Sequence, residues 1–597
     1  MKKILTLLVF GLSFLGSSAQ SEVMLQGFYW DSYGDTRWTK LTEQVDELAR
    51  YFNLIWVPNS GYCDARNNMG YMPLYYFNQN SSFGSEDELR QMISTFKEKG
   101  LGTVADVVIN HHNTNGWFAF PAETYKGVTY QLQSTDICRN DDGGATLAQA
   151  TADGVSLSAN NDTGEGWDGC RDLDHKSANV QQVVKAYLDY LINDLGYTGF
   201  RYDMVKGYSA SFTADYNTSS QPTFSVGECW DGSGVIKKWI DDTKVDGTPT
   251  SSAFDFQFRY RVRDAIKQNN WTLLKGNASD AGGYPLVYQE AYRPYAVTFV
   301  ENHDTEYRSS TAQQDPLKAD TLAANAYLLA MPGTPCVFLK HWLNAKSDIK
   351  RMISARRLAG ITSTSTYEEM ASAPLYYAVK TIGTKGSLIC VVGKTPATYV
   401  APAGYTQVCS ASDYIYYLDD ATASGWDAVE IQIADEVQAE KDKEGQFTPH
   451  TATVYVKADF TPVYFYIWDS NNNTQLNGNW PGKQPATTVI DGETWYYQTV
   501  DIPASNYYFN IIFNQGNGKP QTIDITNITS DKYYTATIAD GQVQYTDVTT
   551  SVGIESPTAN CQLSTVNCQL YDLMGRPLRT PQKGQIYIQN GQLKIKY

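Results

Sequence analysis

Basic charge is what this 597-residue chain has too little of: 47 Lys and Arg stand against 64 Asp and Glu, a formal net charge of −17. A partner gripped through its phosphates needs a basic stripe, so nucleic acid is excluded. Long apolar runs are missing too. The one short apolar core sits in MKKILTLLVFGLSFLGSSAQ, behind two lysines and ahead of Ser17, Ser18 and Ala19. It reads as a signal peptide over residues 1–19, and so predicts an exported protein, secreted or held at the cell surface or in the periplasm. No later stretch approaches the ~20 apolar residues a spanning helix needs, so no transmembrane segment is expected. No CxxC pair or His-rich tract suggests zinc, and no catalytic thiol is expected. Nine Cys permit disulfides after export, with at least one left unpaired. Cys138 with Cys170 and Cys390 with Cys409 are the pairs closest in chain; free buried thiols are the alternative. No Cys follows the expected cleavage point, so nothing there suggests a lipid anchor.

What the chain has in abundance is tyrosine and tryptophan, 43 and 13. Both pair a flat apolar face with a polar handle, which suits sugar-binding surfaces, although core and sheet positions account for most of them. The acidic balance is indifferent to a neutral substrate and would favour a cation such as Ca²⁺.

From Val23 to Ala359 short β-rich runs alternate with amphipathic helical stretches, the pattern of repeated βα units. VMLQGF, LIWVP, GTVADVVI, TGFRYD, TFSVGE, AVTFVE and TPCVFL read as strands, mostly apolar throughout, as strands covered on both faces should be. About eight such units close into a (β/α)₈ barrel, an α/β fold expected over 20–368, with a doubly wound open sheet as the alternative. A Gly-, Asp- and Asn-rich insertion over about 112–172 is far too long for a simple connection. A small all-β domain is expected over 369–420, an acidic linker over 421–448, a β-sandwich over 449–549 and a short β-rich tail over 550–597.

In a parallel barrel the polar groups at the carboxyl ends of the strands share one mouth. Strand three ends in DVVINHH, with Asp106, Asn110 and His111; strand four carries Arg201, Asp203 and Lys206. Strand five ends in VGECW, with Glu228 and Trp230, and strand seven in FVENHDT, with His303 and Asp304. Three carboxylates, Asp203, Glu228 and Asp304, would converge there. Crowded like charges raise at least one pKa, while Arg201, two residues from Asp203 on the same strand face, is expected to hold Asp203 charged. One anionic nucleophile beside one protonated general acid is what glycoside hydrolysis needs.

DVVINH, GFRYDMVKG, GECW and FVENHD resemble the four signature regions of glycoside hydrolase family 13, the α-amylase family. MLQGFYWDS, GYMPLYYF, DTGEGWDGCRDLDH and MPGTPCVFL are similar to its plant-type and archaeal-type branch. The resemblance implies a retaining, endo-acting hydrolase of the α-1,4 bonds of starch and related α-glucans. Asp203 would be the nucleophile, Glu228 the acid/base and Asp304 the carboxylate that stabilises the transition state. Tyr71, His111, Arg201, Lys206, Trp230 and His303 would contact substrate, with Tyr71 and Trp230 stacking on sugars. It further implies Ca²⁺ held by the side chains of Asn110, Asp162 and Asp172 and the backbone carbonyls of Glu165 and Gly207, a set of oxygens suited to a hard cation. Gly207 follows Lys206 as in the plant-type branch, where many other relatives carry His. Leu339 and Lys340 replace the Tyr-Asp that relatives often carry at the end of strand eight, which leaves a contact at that rim open. The distal sandwich, with Tyr464, Tyr466, Trp468 and Trp480, resembles a family 26 starch-binding module, and the tail resembles C-terminal sorting domains of type IX secretion. A monomer is expected. A transglycosidase, or a non-catalytic starch-binding protein on the same scaffold, are the alternatives.

Overall fold

The computed structural model describes residues 23–549 apart from 64–67, 168, 278, 280–281, 310, 313, 470–473, 506, 540 and the side chains of 443–444, with short strands between 570 and 595. The signal-peptide stretch lies outside the described residues. The chain divides into two compact units, Met1–Gln446 and Phe447–Tyr597.

Eight parallel strands close the barrel of the first unit. They are β1 (Met24–Gln26), β2 (Leu54–Val57), β3 (Gly102–Val107), β4 (Gly199–Tyr202), β5 (Phe224–Gly227), β6 (Ser252–Phe254), β7 (Ala296–Thr298) and β8 (Thr334–Phe338), paired in sequence order with β8 returning to β1. An open sheet is thereby excluded. Seven of these strands are legible as apolar runs. The sixth is not: only Ala253 and Phe254 of its three residues are buried, and Ser252 and Ser251 before it read as a turn.

The helices follow their local signals. Glu86–Glu98 starts with a capping box in which Ser85 accepts from the Glu88 N–H and Glu88 accepts from the Ser85 N–H at 2.8 Å. It buries Leu89, Met92, Ile93 and Phe96 at helical spacing. KLTEQVDELARYF, one periodic stretch in sequence, is two helices, Trp38–Glu43 and Val45–Tyr51, broken at Gln44. Between β3 and β4 the insertion folds on itself, pairing His111–His112 with Arg171–Asp172 and Glu123–Tyr125 with Val128–Tyr130 around a helix, Ala145–Asp153.

After the barrel, five antiparallel strands spanning Thr366 to Asp419 form one sheet. Tyr377, Val379, Leu388, Cys390, Val392, Tyr414 and Tyr416 turn one face of it into the barrel's own core. The polar composition of 421–448 reads as a linker, but the chain there is helical, Asp420–Ala423 and then Trp426–Gln446. Ion pairing explains the difference. Glu436 takes Lys350 at 2.8 Å and also Arg50, and Glu430 takes Arg351 at 2.9 Å, while Trp426 and Ile433 are buried. A charged helix reads as solvated until its cations are supplied by elements far away in sequence.

All seven cysteines in the described residues are free and buried. Cys390 and Cys409 pair with Tyr416 from opposite sides of its strand. Their Cα atoms are therefore about 9–10 Å apart, beyond the reach of a disulfide.

The second unit is a β-sandwich. A five-stranded sheet built on His450–Ala458 and a three-stranded sheet built on Tyr464–Asp469 enclose Val454, Val456, Phe465, Ile467, Ile511, Phe513 and Tyr534. Tail strands from Leu570 to Ile595 form a further four-stranded antiparallel sheet.

Candidate active site

Register brings the first residues of the site together. Asp106 of β3 lies opposite Arg201 of β4, and Arg201 lies opposite Val226 of β5. The ladder runs one residue beyond each strand: the Asp203 N–H donates to the Val107 carbonyl at 3.0 Å and the Glu228 N–H to the Tyr202 carbonyl at 2.9 Å. Asp203 and Glu228 thus stand side by side at the carboxyl ends of their strands, where a parallel barrel gathers its functional groups.

Arg201, 1% exposed, is the hub. Its Nη1 donates to Asp106 Oδ1 and to Asp203 Oδ1, both at 2.7 Å, and its Nη2 lies 2.9 Å from Glu228 Oε1. Beneath it lies the Trp56 ring, 4.9 Å from the guanidinium carbon. Met204, next to Asp203, adopts a left-handed φ of +43°. That conformation is costly for a residue with a side chain, and it aims the Met204 N–H at Glu228 Oε2, 3.2 Å away.

A second chain of contacts joins β7 to this hub. Tyr71 Oη donates to Asp106 Oδ2 at 2.9 Å and lies 2.7 Å from His303 Nε2, while His303 Nδ1 lies 2.9 Å from Gln26 Nε2. With Gln26 donating, the proton of His303 sits on Nε2, which also lies 3.3 Å from Asp304 Oδ2. Burial pushes His303 well below its ordinary pKa and His111 down to about 4, so both rings are neutral. His111 Nε2 donates to the Tyr71 carbonyl at 2.9 Å and so fixes the loop that carries Tyr71.

Burial raises the Asp203 carboxyl well above the usual carboxylate range; Glu228 and Asp106 add to this, and Arg201 opposes it by charge and hydrogen bond. Burial likewise raises Asp106 and Asp304. Arg201 is therefore not the dedicated partner of Asp203 that sequence spacing suggests. One guanidinium is divided among three carboxylates, so its charge offsets only part of the burial that raises Asp203 and Asp106.

Lys206 sits at the rim, paired with the Glu165 carboxylate and, at 3.2 Å, with Asp231. Trp230 stacks on Phe256, centroids 5.0 Å apart, and its indole N–H donates to Tyr260 Oη at 2.6 Å. The ring is held rigid with the rest of its surface half-buried.

Four of the five oxygens expected to hold calcium lie in two neighbouring pairs, linked by the Asn110 Nδ2–Asp172 Oδ1 contact at 3.4 Å. A Cβ on Gly166 would lie 2.5 Å from Asp172 Oδ2 and 3.8 Å from Asp162 Oδ2; one on Gly207 would lie 1.7 Å from Asn110 Oδ1 and 2.8 Å from the Glu165 carbonyl oxygen. Asp162 Oδ2 is buried with no hydrogen-bond partner. Burial, with Asp141 and Asp162 adding, pushes Asp172 up to about 8. Clustered, underprotected oxygens are what a hard cation would relieve, so the donor set fits. Among the described residues no group of three or more His, Cys, Asp or Glu is arranged to hold a metal ion. This set has only two carboxylates, its other donors being one amide and backbone carbonyls.

A sequence profile described as "Alpha amylase, catalytic domain" matches residues 41–341. The chain belongs to the α-amylase family. It is accordingly a glycoside hydrolase. Similar proteins include "Probable alpha-amylase 2" of Arabidopsis thaliana, 30% identical over 383 residues that make up 60% of this chain and 86% of the plant protein. "Alpha-amylase 3, chloroplastic" of the same plant is 29% identical, over 57% of this chain and 38% of that protein. The solved α-amylase of Malbranchea cinnamomea aligns with 68% of this chain and 98% of its own, at 16% identity and a TM-score of 0.47.

Within this amylase-family chain, sequence reasoning misses Gln26 and Trp30 and the partners of Asp106 and Lys340. Asp106 is visible as a strand-end acid, but its grip on Arg201, Tyr71 and Trp56 depends on register. Gln26 acts from β1, where it looks like one polar residue in a strand. Trp30 lies parallel to Tyr71, 7° between planes and 6.1 Å between centroids. Lys340, at the rim left open by the missing Tyr-Asp, pairs with the buried Glu306. Tyr464, Tyr466, Trp468 and Trp480 belong to the second unit.

Proposed function

We propose that this chain hydrolyses α-1,4-glucosidic bonds within starch and related α-glucans, with retention of configuration. The observation that carries the reading is Arg201 touching Asp203 and Glu228 together, with Asp304, His303 and Tyr71 beside them at the mouth of the barrel. An Asp203 carboxylate oxygen attacks the anomeric carbon while Glu228 gives its proton to the departing glycosidic oxygen. The C1–O bond to the leaving chain breaks and a glycosyl ester forms. Glu228, now a carboxylate, takes a proton from water; the hydroxide adds to C1 and Asp203 is released. Asp304 stabilises the positive charge on the ring between the two events.

Retention calls for carboxyl groups about 5–5.5 Å apart, a spacing supported by one guanidinium touching both. Tyr71 stacks on the sugar at the cleavage point and Trp230 on the next one. His111, His303, Arg201 and Lys206 meet hydroxyls. Asn110, Asp162, Asp172 and the carbonyls of Glu165 and Gly207 would hold Ca²⁺, whose charge would tie the insertion to β4. Export by the N-terminal segment suits a polymer too large to enter a cell. In the second unit Tyr464, Tyr466 and Trp468 alternate with the buried Phe465 and Ile467 along one strand, and Trp480, 43% exposed, packs edge-on against Tyr466 at 5.2 Å. This partly exposed aromatic cluster supports a starch-binding role.

Asp203→Asn and Glu228→Gln test the reading. Each should lower turnover of soluble starch at least about 10²–10⁴-fold while starch still binds. A slow 2-fluoro glycosyl donor should label Asp203. Label on another residue, or turnover retained in either variant, would overturn the assignment.

A further inference from the structure

Asp304 has a cationic neighbour that the proposed reaction leaves without a role. The segment after β7 is locked into a turn by Asn302, whose Oδ1 accepts from the N–H groups of Asp304 at 3.1 Å and Thr305 at 2.9 Å. Two residues on, Glu306 is buried, accepts the Trp30 N–H at 2.7 Å and pairs with Lys340. Those contacts pin the segment to the stretches that follow β1 and β8. They leave Arg308 with its guanidinium carbon 3.8 Å from the centroid of the Trp30 ring, hydrogen-bonded to the His303 carbonyl, with Nη2 3.5 Å from Asp304 Oδ1. A stacked guanidinium presents its donors in one plane and has little freedom left to lose.

We propose that Arg308 is a positioning residue for Asp304: held flat on Trp30 and tied to the His303 carbonyl, it orients that carboxylate toward the bound sugar and keeps a positive charge beside it. The inference rests on the reading of Asp304 as the stabilising carboxylate. Other groups face Asp304 as well. His303 is neutral, so it donates a hydrogen bond without charge. Arg201 acts from the hub, opposing the burial that raises Asp304. Tyr71 stays protonated. Arg308 therefore serves Asp304 Oδ1 while His303 serves Oδ2, and it acts with Arg201 against burial. Both partners of the Arg308 pair are about a quarter exposed, 26% and 27%, so part of the attraction is screened by water and salt.

The experiment compares Arg308→Gln, Arg308→Lys and the parent chain, using a chromogenic maltooligosaccharide and full pH profiles. Without the cation, Asp304 is easier to protonate, so the acid limb of kcat should move up by about one pH unit in Arg308→Gln. At the optimum kcat should fall about tenfold, with KM changed less than twofold, because the interaction serves the transition state more than the ground state. Arg308→Lys keeps the charge and should keep the limb near its original place. High salt should move the limb of the parent upward and leave that of Arg308→Gln where it is. A limb that stays put in Arg308→Gln, or one displaced equally in Arg308→Lys, would overturn the inference. The salt titration of the parent alone does the same should the variants fail to fold. Asp304→Asn separates the two readings. Activity retained there removes the role of Asp304 itself; activity lost there, with Arg308→Gln unshifted, removes only the role of Arg308.

Discussion

Asp106→Asn is the perturbation that tests the hub most sharply, because the side chain neither attacks nor protonates anything. One oxygen of Asp106 receives Arg201 Nη1 at 2.7 Å; the other receives Tyr71 Oη at 2.9 Å and the Trp56 indole N–H at 3.2 Å. Asparagine has one acceptor oxygen for these two positions. With its oxygen toward Arg201, its NH₂ faces a Trp56 N–H that cannot turn away; reversed, the NH₂ faces the guanidinium. One charge-assisted hydrogen bond, worth about 1.5–3 kcal/mol, is lost, and one buried donor left without an acceptor costs about 1–3 kcal/mol more. The sum, about 2.5–6 kcal/mol, spans the roughly 3–5 kcal/mol that breaking a buried ion pair usually costs. Two compact units can unfold separately, so urea unfolding should be followed by loss of hydrolysis, which reports the barrel alone.

The same change acts on Asp203 in a definite direction. The Asp106 charge helps raise the Asp203 carboxyl, so its removal makes Asp203 easier to ionise. The acid limb of kcat/KM should therefore move to lower pH even as stability falls. A loss below about 1 kcal/mol, or a limb that moves to higher pH, would refute the description of Arg201 as a guanidinium shared among three acids.

Acid should weaken the barrel through His175. Burial pushes this ring down to about 4; its Nε2 lies 2.9 Å from the Ile109 carbonyl oxygen and its Nδ1 2.6 Å from Tyr216 Oη. The unfolded chain takes up a proton near pH 6.5 and the folded one only near 4, so this stability is full above 6.5 and is lost as pH falls between the two values. The advantage of the parent over His175→Gln should shrink by about 2 kcal/mol from pH 7 to pH 5 in urea unfolding; a constant gap would refute the buried neutral ring. A calcium chelator should lower the urea midpoint of activity loss, a change equivalent to up to about 2.7 kcal/mol of stability if the ion had been present at 100 times its dissociation constant, and added Ca²⁺ should restore it. Asp162→Asn should blunt both responses, and a midpoint indifferent to chelator would count against the ion. Trp480→Ala should weaken adsorption to starch granules while hydrolysis of short soluble chains is unchanged; equal losses would reject the binding role of the second unit.

The barrel is legible in the sequence because a strand covered on both faces must be largely apolar: LIWV is apolar at every position, and GTVADV and TPCVF depart from it only at Thr103, Asp106 and Thr334. The acidic trio is legible for a related reason: charged residues placed where apolar runs stop have few bland uses when four strand ends carry them together. Ser252–Phe254 was hidden because three residues carry too little pattern, and the helix Trp426–Gln446 because its stabilising cations, Arg50, Lys350 and Arg351, are remote in sequence.

Within the site, residue identity by itself determined which groups could attack, donate or bind a cation. Only the tertiary structure decided how Arg201 is shared, since Asp106, Asp203 and Glu228 come from three strands whose register no local pattern specifies. The same holds for Trp30 and Arg308, brought together from the segments after β1 and after β7. Chemistry resides in side chains and can be read one residue at a time, whereas electrostatic strength depends on distance and burial, which exist only once the barrel has closed.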